Sequence, residues 1–313
     1  MSQSAPLILR LLASSVSAAS RAGQIIKDVM HKGNLGIVEK GLDKNDLQTE
    51  ADRSAQKCII GSLSKLFPGV TIIGEEGPHN DQPEDIPSDW IVTEQDKAVL
   101  ASDCPNEYSK INPQEIVVWV DPLDGTSEYV EGLLDHVTVL IGLAVKGKTV
   151  GGVVHQPFYN YELDKQGVGR TLWGLVGLGV GGFVPHPPPS DKFIITTTRS
   201  HADAVVNKTL EALKADEIIR VGGAGHKVLM LLEGKAHAYV FASKGCKKWD
   251  TCGPEGVLKA LGGTLTDIHG NEYNYAKDVS YPNAQGIFAT SKHVNHSELI
   301  SKIPKELKDR FPY

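Results

Sequence analysis

Asp121 and Asp124 flank a proline and a leucine in Trp119-Val120-Asp121-Pro122-Leu123-Asp124-Gly125-Thr126, directly after the β-branched run Ile116-Val117-Val118. Proline fixes one φ angle and removes a backbone donor, and Gly125 permits a sharp turn, so both carboxylates are expected on one stiff bend at a strand end. Two like charges held so close call for a cation. A helix opening at Thr126 would turn unpaired N–H groups on the same spot, where a metal and a phosphate oxygen could both bind. Taken alone, each aspartate could equally be a turn or helix-cap residue.

Other acidic positions move the reading from a turn towards a site. Glu75-Glu76 closes the apolar run Val70-Thr71-Ile72-Ile73-Gly74, and adjacent carboxylates there repel unless one is neutralised or both are solvated. Asp250 follows Trp249 where the last long helical pattern starts, a place where simple N-capping is the alternative. Asp52, in Thr49-Glu50-Ala51-Asp52, has capping-box spacing, and by itself the cap is the stronger reading. Acidic side chains at several strand and helix ends, far apart in sequence, are what an all-oxygen Mg²⁺ site requires. No His or Cys cluster in the sequence competes for a softer metal.

Two segments further on could meet a phosphate or a base. Gly222-Gly223-Ala224-Gly225-His226-Lys227 follows an apolar strand and opens a helix, which permits close backbone approach to a ligand, with Lys227 supplying positive charge. Arg199-Ser200-His201 follows the strand Phe193 to Thr198, which places it at the same sheet edge. Ordinary turn chemistry and a solvated loop histidine are the plain alternatives. Gly177 to Gly182 matches G-x-G-x-x-G in form only, since no strand of a βαβ unit leads through it into a helix.

Bringing these residues together requires several element ends at one place. Ile8, Leu11, Leu12, Ser15, Ala18, Ala19, Ala22, Ile25, Ile26 and Val29 share one face of a first helix. A strand over Gly36 to Lys40, a helix over Thr49 to Phe67 and a strand over Val70 to Gly74 follow. Gly77 to Pro113 reads as a polar surface excursion with one helix near Trp90 to Ala101. Val137 to Ala144 and Thr149 to Gln156 form a hairpin, and Arg170 to Val184 continues in strands and turns. Four prolines between Pro185 and Pro189 mark a boundary, giving an α+β lobe over 1–187 and an α/β lobe over 188–313. In the second lobe strands at Phe193 to Thr198, Ile218 to Val221, Ala236 to Ala242 and Ile287 to Thr290 alternate with helices at Ala204 to Lys214, after Gly225, and at Thr251 to Leu261.

With 313 residues, 41% of them apolar, the chain can bury a large core. A formal charge of −6 argues against a nucleic-acid polymer as partner, so any phosphate must be met locally, by metal or a few placed cations. Cys58, Cys104, Cys246 and Cys252 have neither zinc-ligand spacing nor the density of a disulfide framework, which points to a reducing compartment. Nothing approaches the roughly 20 apolar residues of a membrane span. The stretch 1–27 is basic, serine-rich and free of acid, as a mitochondrial transit peptide is, but its helical spacing favours a first helix of the fold and a cytoplasmic protein.

In order along the chain, Asp52, Glu75-Glu76, Asp121-Pro122-Leu123-Asp124-Gly125-Thr126 and Trp249-Asp250 resemble the pattern of the lithium-sensitive, magnesium-dependent phosphatase superfamily of inositol monophosphatase. Asp46 to Thr49, Glu131 to Asp135, Thr196 to His201, Val221 to Gly225 and Gly245 to Thr251 extend the likeness towards the branch that removes the 3′-phosphate of 3′-phosphoadenosine 5′-phosphate. The resemblance implies an αβαβα sandwich, a monomer, two or three Mg²⁺ ions, inhibition by lithium, and activity on the sulfated nucleotide and on inositol 1,4-bisphosphate as well. It implies metal ligation by Glu75, Asp121, the Leu123 carbonyl, Asp124 and Asp250, positioning of the attacking water by Asp52 and Thr126, and nucleotide contacts from Thr198, His201, Gly223 and Lys227. The chain departs from the pattern at Ser127, where Lys is usual, and at His226, where Asn is usual; both bear on substrate preference. An inositol polyphosphate 1-phosphatase would share every metal ligand. A nucleotide sensor without catalysis would have no need to keep all six of the acidic and threonine positions.

Overall fold

The computed structural model describes residues 5–40, 47–77, 86–161, 169–200 and 202–312. The long apolar face near the N-terminus forms helix α1 (Leu7–Lys32), which stops at Gly33 in the left-handed region, φ +73°. Ile8, Leu11, Leu12, Ala18, Ala19, Ala22 and Ile26 are fully buried, so this helix is built into the core. A short antiparallel pair, β1 (Val38–Glu39) and β2 (Leu47–Gln48), precedes α2 (Glu50–Leu66). Next come β3 (Thr71–Gly74), α3 (Lys97–Leu100), β4 (Ile116–Asp124), α4 (Thr126–Glu131), β5 (Thr138–Val145), β6 (Lys148–Gln156), β7 (Arg170–Leu175) and β8 (Gly179–Gly181). These strands form one sheet in the order β3-β4-β5-β6-β7-β8, parallel between β3 and β4 and antiparallel beyond.

Past the prolines the chain builds β9 (Ile194–Thr198), α5 (Ala204–Leu213), β10 (Glu217–Val221), α6 (Ala224–Leu232), β11 (Ala238–Phe241) and α7 (Lys248–Ala260). It closes with β12 (Thr264–Thr266), β13 (Ile287–Thr290), α8 (His296–Ser301) and α9 (Lys305–Lys308). The second sheet runs β10-β9-β11-β13-β12. Helices α1 and α2 pack on one face of the first sheet. Helices α6 and α7 fill the space between the two sheets, where Leu140, Val154 and Leu172 of the first meet Ile194, Tyr239 and Ile287 of the second. Helices α5, α8 and α9 cover the far side, which completes the expected αβαβα order. Among the described residues no helix is long and apolar enough to cross a membrane.

Some expectations need correction. The helix expected near Trp90 to Ala101 is a 3₁₀ turn at Ser88–Trp90 and the four-residue α3, with extended chain between them. That stretch is tied to neighbouring helices instead: Val92 N donates to Ser62 Oγ (2.9 Å), and Gln95 Nε2 donates to Ser14 Oγ (2.9 Å). The aspartates expected on a bend past the strand lie within it: β4 runs to Asp124, because pairing with β5 resumes at Asp124 and Thr138 after a register shift. The Asp-Pro-Leu-Asp block is therefore a bulge in the strand end, a device that re-aims side chains. Helix α7 begins at Lys248, with Lys247 as its cap, so Asp250 lies in the first turn and is not the cap residue.

Helix α7 lies unusually close to the first sheet. A Cβ on Gly152 of β6 would stand 2.1 Å from the Gly253 carbonyl oxygen, and one on Gly256 would stand 2.3 Å from the Gly151 backbone. Only glycine on both surfaces permits that approach.

Candidate active site

The first sheet presents Glu75 at the end of β3 and Asp121 and Asp124 at the end of β4, and α7 brings Asp250 to them. Parallel pairing of β3 and β4 sets the first two side by side; Glu75 N donates to the Val120 carbonyl (3.1 Å). An aromatic cluster fixes the start of α7: Tyr281 lies 5.5 Å from Trp119 and 5.3 Å from Trp249, ring centre to ring centre. Trp119 Nε1 also donates to the Tyr275 carbonyl (3.0 Å).

All four carboxylates are held above the usual acid range, first by burial. For Asp121 the next causes are Glu75, Asp124 and Asp250; Asp250, facing Glu75 and Asp124, is pushed up to about 7. Asp121 is within hydrogen-bonding reach of Glu75 and Asp250, contacts that paired carboxylates can make only by sharing protons. The side chains are not drawn in around a point: among the described residues no three acidic, His or Cys groups form a closed coordination cluster. Glu75 is turned to Lys40, whose Nζ lies 3.1 Å from Glu75 Oε1 and 2.7 Å from Glu76 Oε1. Glu76 is further held by Gln48 Nε2 and lends its own N–H to Gln56 Oε1 (3.0 Å), so its role is to shape the strand end.

Asp52 reconciles its two readings. Its Oδ2 accepts from Thr49 N (2.7 Å) and Thr49 Oγ1 (2.5 Å), closing the capping box of α2, while Oδ1 accepts from Thr126 Oγ1 (3.0 Å). Burial pushes its pKa up to about 7, with Glu76 and Glu75 adding to the rise and Thr49 opposing it. Thr126 Oγ1 also lies 3.1 Å from the Leu123 carbonyl oxygen, and Gly125 before it sits at φ +89°.

Asp124 joins the two sheets. Its Oδ1 accepts from Ala224 N (2.7 Å), and its Oδ2 accepts from Gly225 N (2.8 Å) and Thr138 Oγ1 (2.6 Å). Three donors leave room on Oδ1 for a further partner. Helix α4 does open at Thr126, and a second set of helix N–H groups, those at the start of α6, binds Asp124 itself. Thr138 carries no signal of its own in the sequence; β4–β5 pairing brings it opposite Asp124.

Glu75, Asp124, Thr126, Thr198, Gly223, Lys227 and Asp250 line one cavity of about 190 Å³, together with Ser127, Ser200, Tyr239, Phe241 and Cys246. Lys227 is buried; its Nζ donates to the Gly223 carbonyl (2.7 Å) and lies 5.3 Å from the Tyr239 ring centre. Burial lowers its pKa against the pull of Asp124. His201 lies outside the described residues. Ser127 lines the cavity, whereas His226 does not and its ring lies tilted against that of His136. A larger hollow of about 900 Å³, which also touches Glu75, is lined by Ile60, Ile72, Ile73, Ile86 and Ile91 along with lysines, glycines and Trp249, and lacks the aspartates.

A five-layer sandwich with a carboxylate cluster where its sheets and central helices meet is the architecture of the inositol monophosphatase family. The chain belongs to that family, whose model matches residues 9–308. It is 51% identical to 3′(2′),5′-bisphosphate nucleotidase 1 of Homo sapiens, over 99% of each chain, and 49% identical to the Rattus norvegicus protein of the same name, over 98% of each. The crystal structure of extragenic suppressor protein suhB from Bartonella henselae superposes with a TM-score of 0.66 at 21% identity, covering 94% of this chain and 98% of that one.

Proposed function

We propose that this protein is a metal-dependent phosphomonoesterase that removes the 3′-phosphate of 3′-phosphoadenosine 5′-phosphate to give adenosine 5′-phosphate. The substrate follows from the near-full-length likeness to the human nucleotidase. The observation that carries the site is Asp124, one carboxylate that stands in the acidic cluster and is held by the start of α6, the helix that carries Lys227.

The donor chemistry fits a hard divalent cation: all oxygen, buried, and raised in pKa by mutual repulsion that a cation would relieve. Glu75, Asp121, the Leu123 carbonyl, Asp124 and Asp250 would hold two or three Mg²⁺ ions, which would neutralise phosphoryl charge and lower the pKa of water. Thr126, donating to Asp52 Oδ1, keeps a lone pair to orient the attacking water. Asp52, its other oxygen fixed by Thr49, takes that water's proton. Thr198, Gly223, Lys227 and His201 would contact the nucleotide.

The deciding measurement is phosphate release from 3′-phosphoadenosine 5′-phosphate and from inositol 1,4-bisphosphate, each with Mg²⁺ and with added lithium. Faster turnover of the nucleotide and loss of rate in lithium are expected. Faster turnover of the inositol substrate would reassign the chain to the inositol polyphosphate branch, and no release from either would end the enzyme reading.

A further inference from the structure

His136 closes the single 3₁₀ turn Leu134–His136 between α4 and β5, and touches the Gly222–His226 segment in three ways. Its Nδ1 accepts from Gly222 N at 3.3 Å. Its carbonyl oxygen would stand 2.6 Å from a Cβ on Gly223, so the turn is pressed against it. Its ring lies 4.7 Å, centre to centre, from the ring of His226. The Nδ1 of His226 is buried without a partner, and burial together with His136 pushes the ring's pKa down to about 4. The segment so held delivers Ala224 N and Gly225 N to Asp124 and the Gly223 carbonyl to Lys227.

We propose that His136 is a positioning residue for the Gly222–Gly225 turn, its unprotonated Nδ1 and its ring contact with His226 setting the backbone that the nucleotide meets. The inference rests on the nucleotidase reading for what the turn binds, but not for how it is held. An imidazole nitrogen that accepts from an amide carries no proton, so His136 must be the Nε2–H tautomer. Loss of the acceptor leaves a part-buried Gly222 N–H unpaired beside residues whose backbone is in use.

Two measurements test it. In steady-state kinetics with 3′-phosphoadenosine 5′-phosphate and saturating Mg²⁺, His136→Leu should raise KM about fivefold, the factor a single lost hydrogen bond commands, with a smaller change in kcat. His136→Asn, whose Oδ1 can accept from the same N–H, should recover KM to within about twofold of the parent. Leu and Asn variants that are equally impaired, or a Leu variant with parental KM, would overturn the proposal. The second measurement needs no substitution and does not depend on turnover: ¹⁵N NMR of the histidine-labelled parent chain should show His136 with Nδ1 bare. A protonated Nδ1 there would also overturn it. Failure of the parent chain to act on the nucleotide would instead count against the proposed function, and the tautomer would still decide the positioning role.

Discussion

Asp52 serves as a cap with one oxygen and faces the cavity's threonine with the other, so its structural and chemical roles do not compete. Asp52→Asn keeps an acceptor for Thr49 and loses the base, so kcat should fall by about 10²–10⁴ with the fold intact. Because burial lifts the carboxyl to about 7, the parent's rate should climb with pH along an acidic limb as Asp52 loses its proton, a limb that bound cations move to lower pH. A pH–rate profile of both proteins checks this; an acidic limb that persists unchanged in the variant would remove Asp52 as base. The residue types were legible because Mg²⁺ chemistry needs acids at element ends. Lys40 and Thr138 are not legible in this way: a lysine just after a two-residue strand carries no pattern, and Thr138 matters only through its register opposite Asp124.

At the scale of elements, strands and long helices followed their periodicity, while their ends were decided by partners. Nothing in Asp121 to Asp124 itself tells that β5 will take up pairing again beyond Pro122, and nothing in Trp90 to Ala101 tells that Ser62 and Ser14 will claim its polar groups. The approach of α7 to β6 is equally hidden, since Gly151, Gly152, Gly253 and Gly256 lie in two separate elements and meet only in the fold. Together they let the helix descend until Asp250 meets the strand ends. Gly152→Ala would force the Gly253 carbonyl away, and overpacking of this kind costs about 1–3 kcal/mol. Urea unfolding should register that loss, and Mg²⁺ affinity should weaken with it as Asp250 is pushed outwards. Unchanged affinity in a destabilised variant would separate α7 placement from the metal site.

For the molecule as a whole, the boundary at the prolines separates the sheets but not the cores, because α6 and α7 of the second half cover the inner face of the first sheet. The acidic cluster sits at that shared core, and its repulsion bears on the entire fold. Asp52 and Asp250 rise to about 7 when folded, from an ordinary value near 3.8. Between about pH 4 and about pH 7 the folded chain thus holds protons that the unfolded chain has released, so stability is greatest at the acid end and falls as pH climbs through the window. Divalent cations replace those protons and should restore the loss most fully near neutrality. Melting curves at about pH 5 and about pH 7.5, each with chelator and with Mg²⁺, test both halves of the argument. Asp121→Asn sharpens it: with one like charge gone, the chelated variant should melt above the chelated parent at neutral pH, while with Mg²⁺ the order should invert. A chelated parent whose melting temperature rises steadily through that window would mean that the carboxylates are already compensated without metal, and the cluster would then owe its geometry to folding alone.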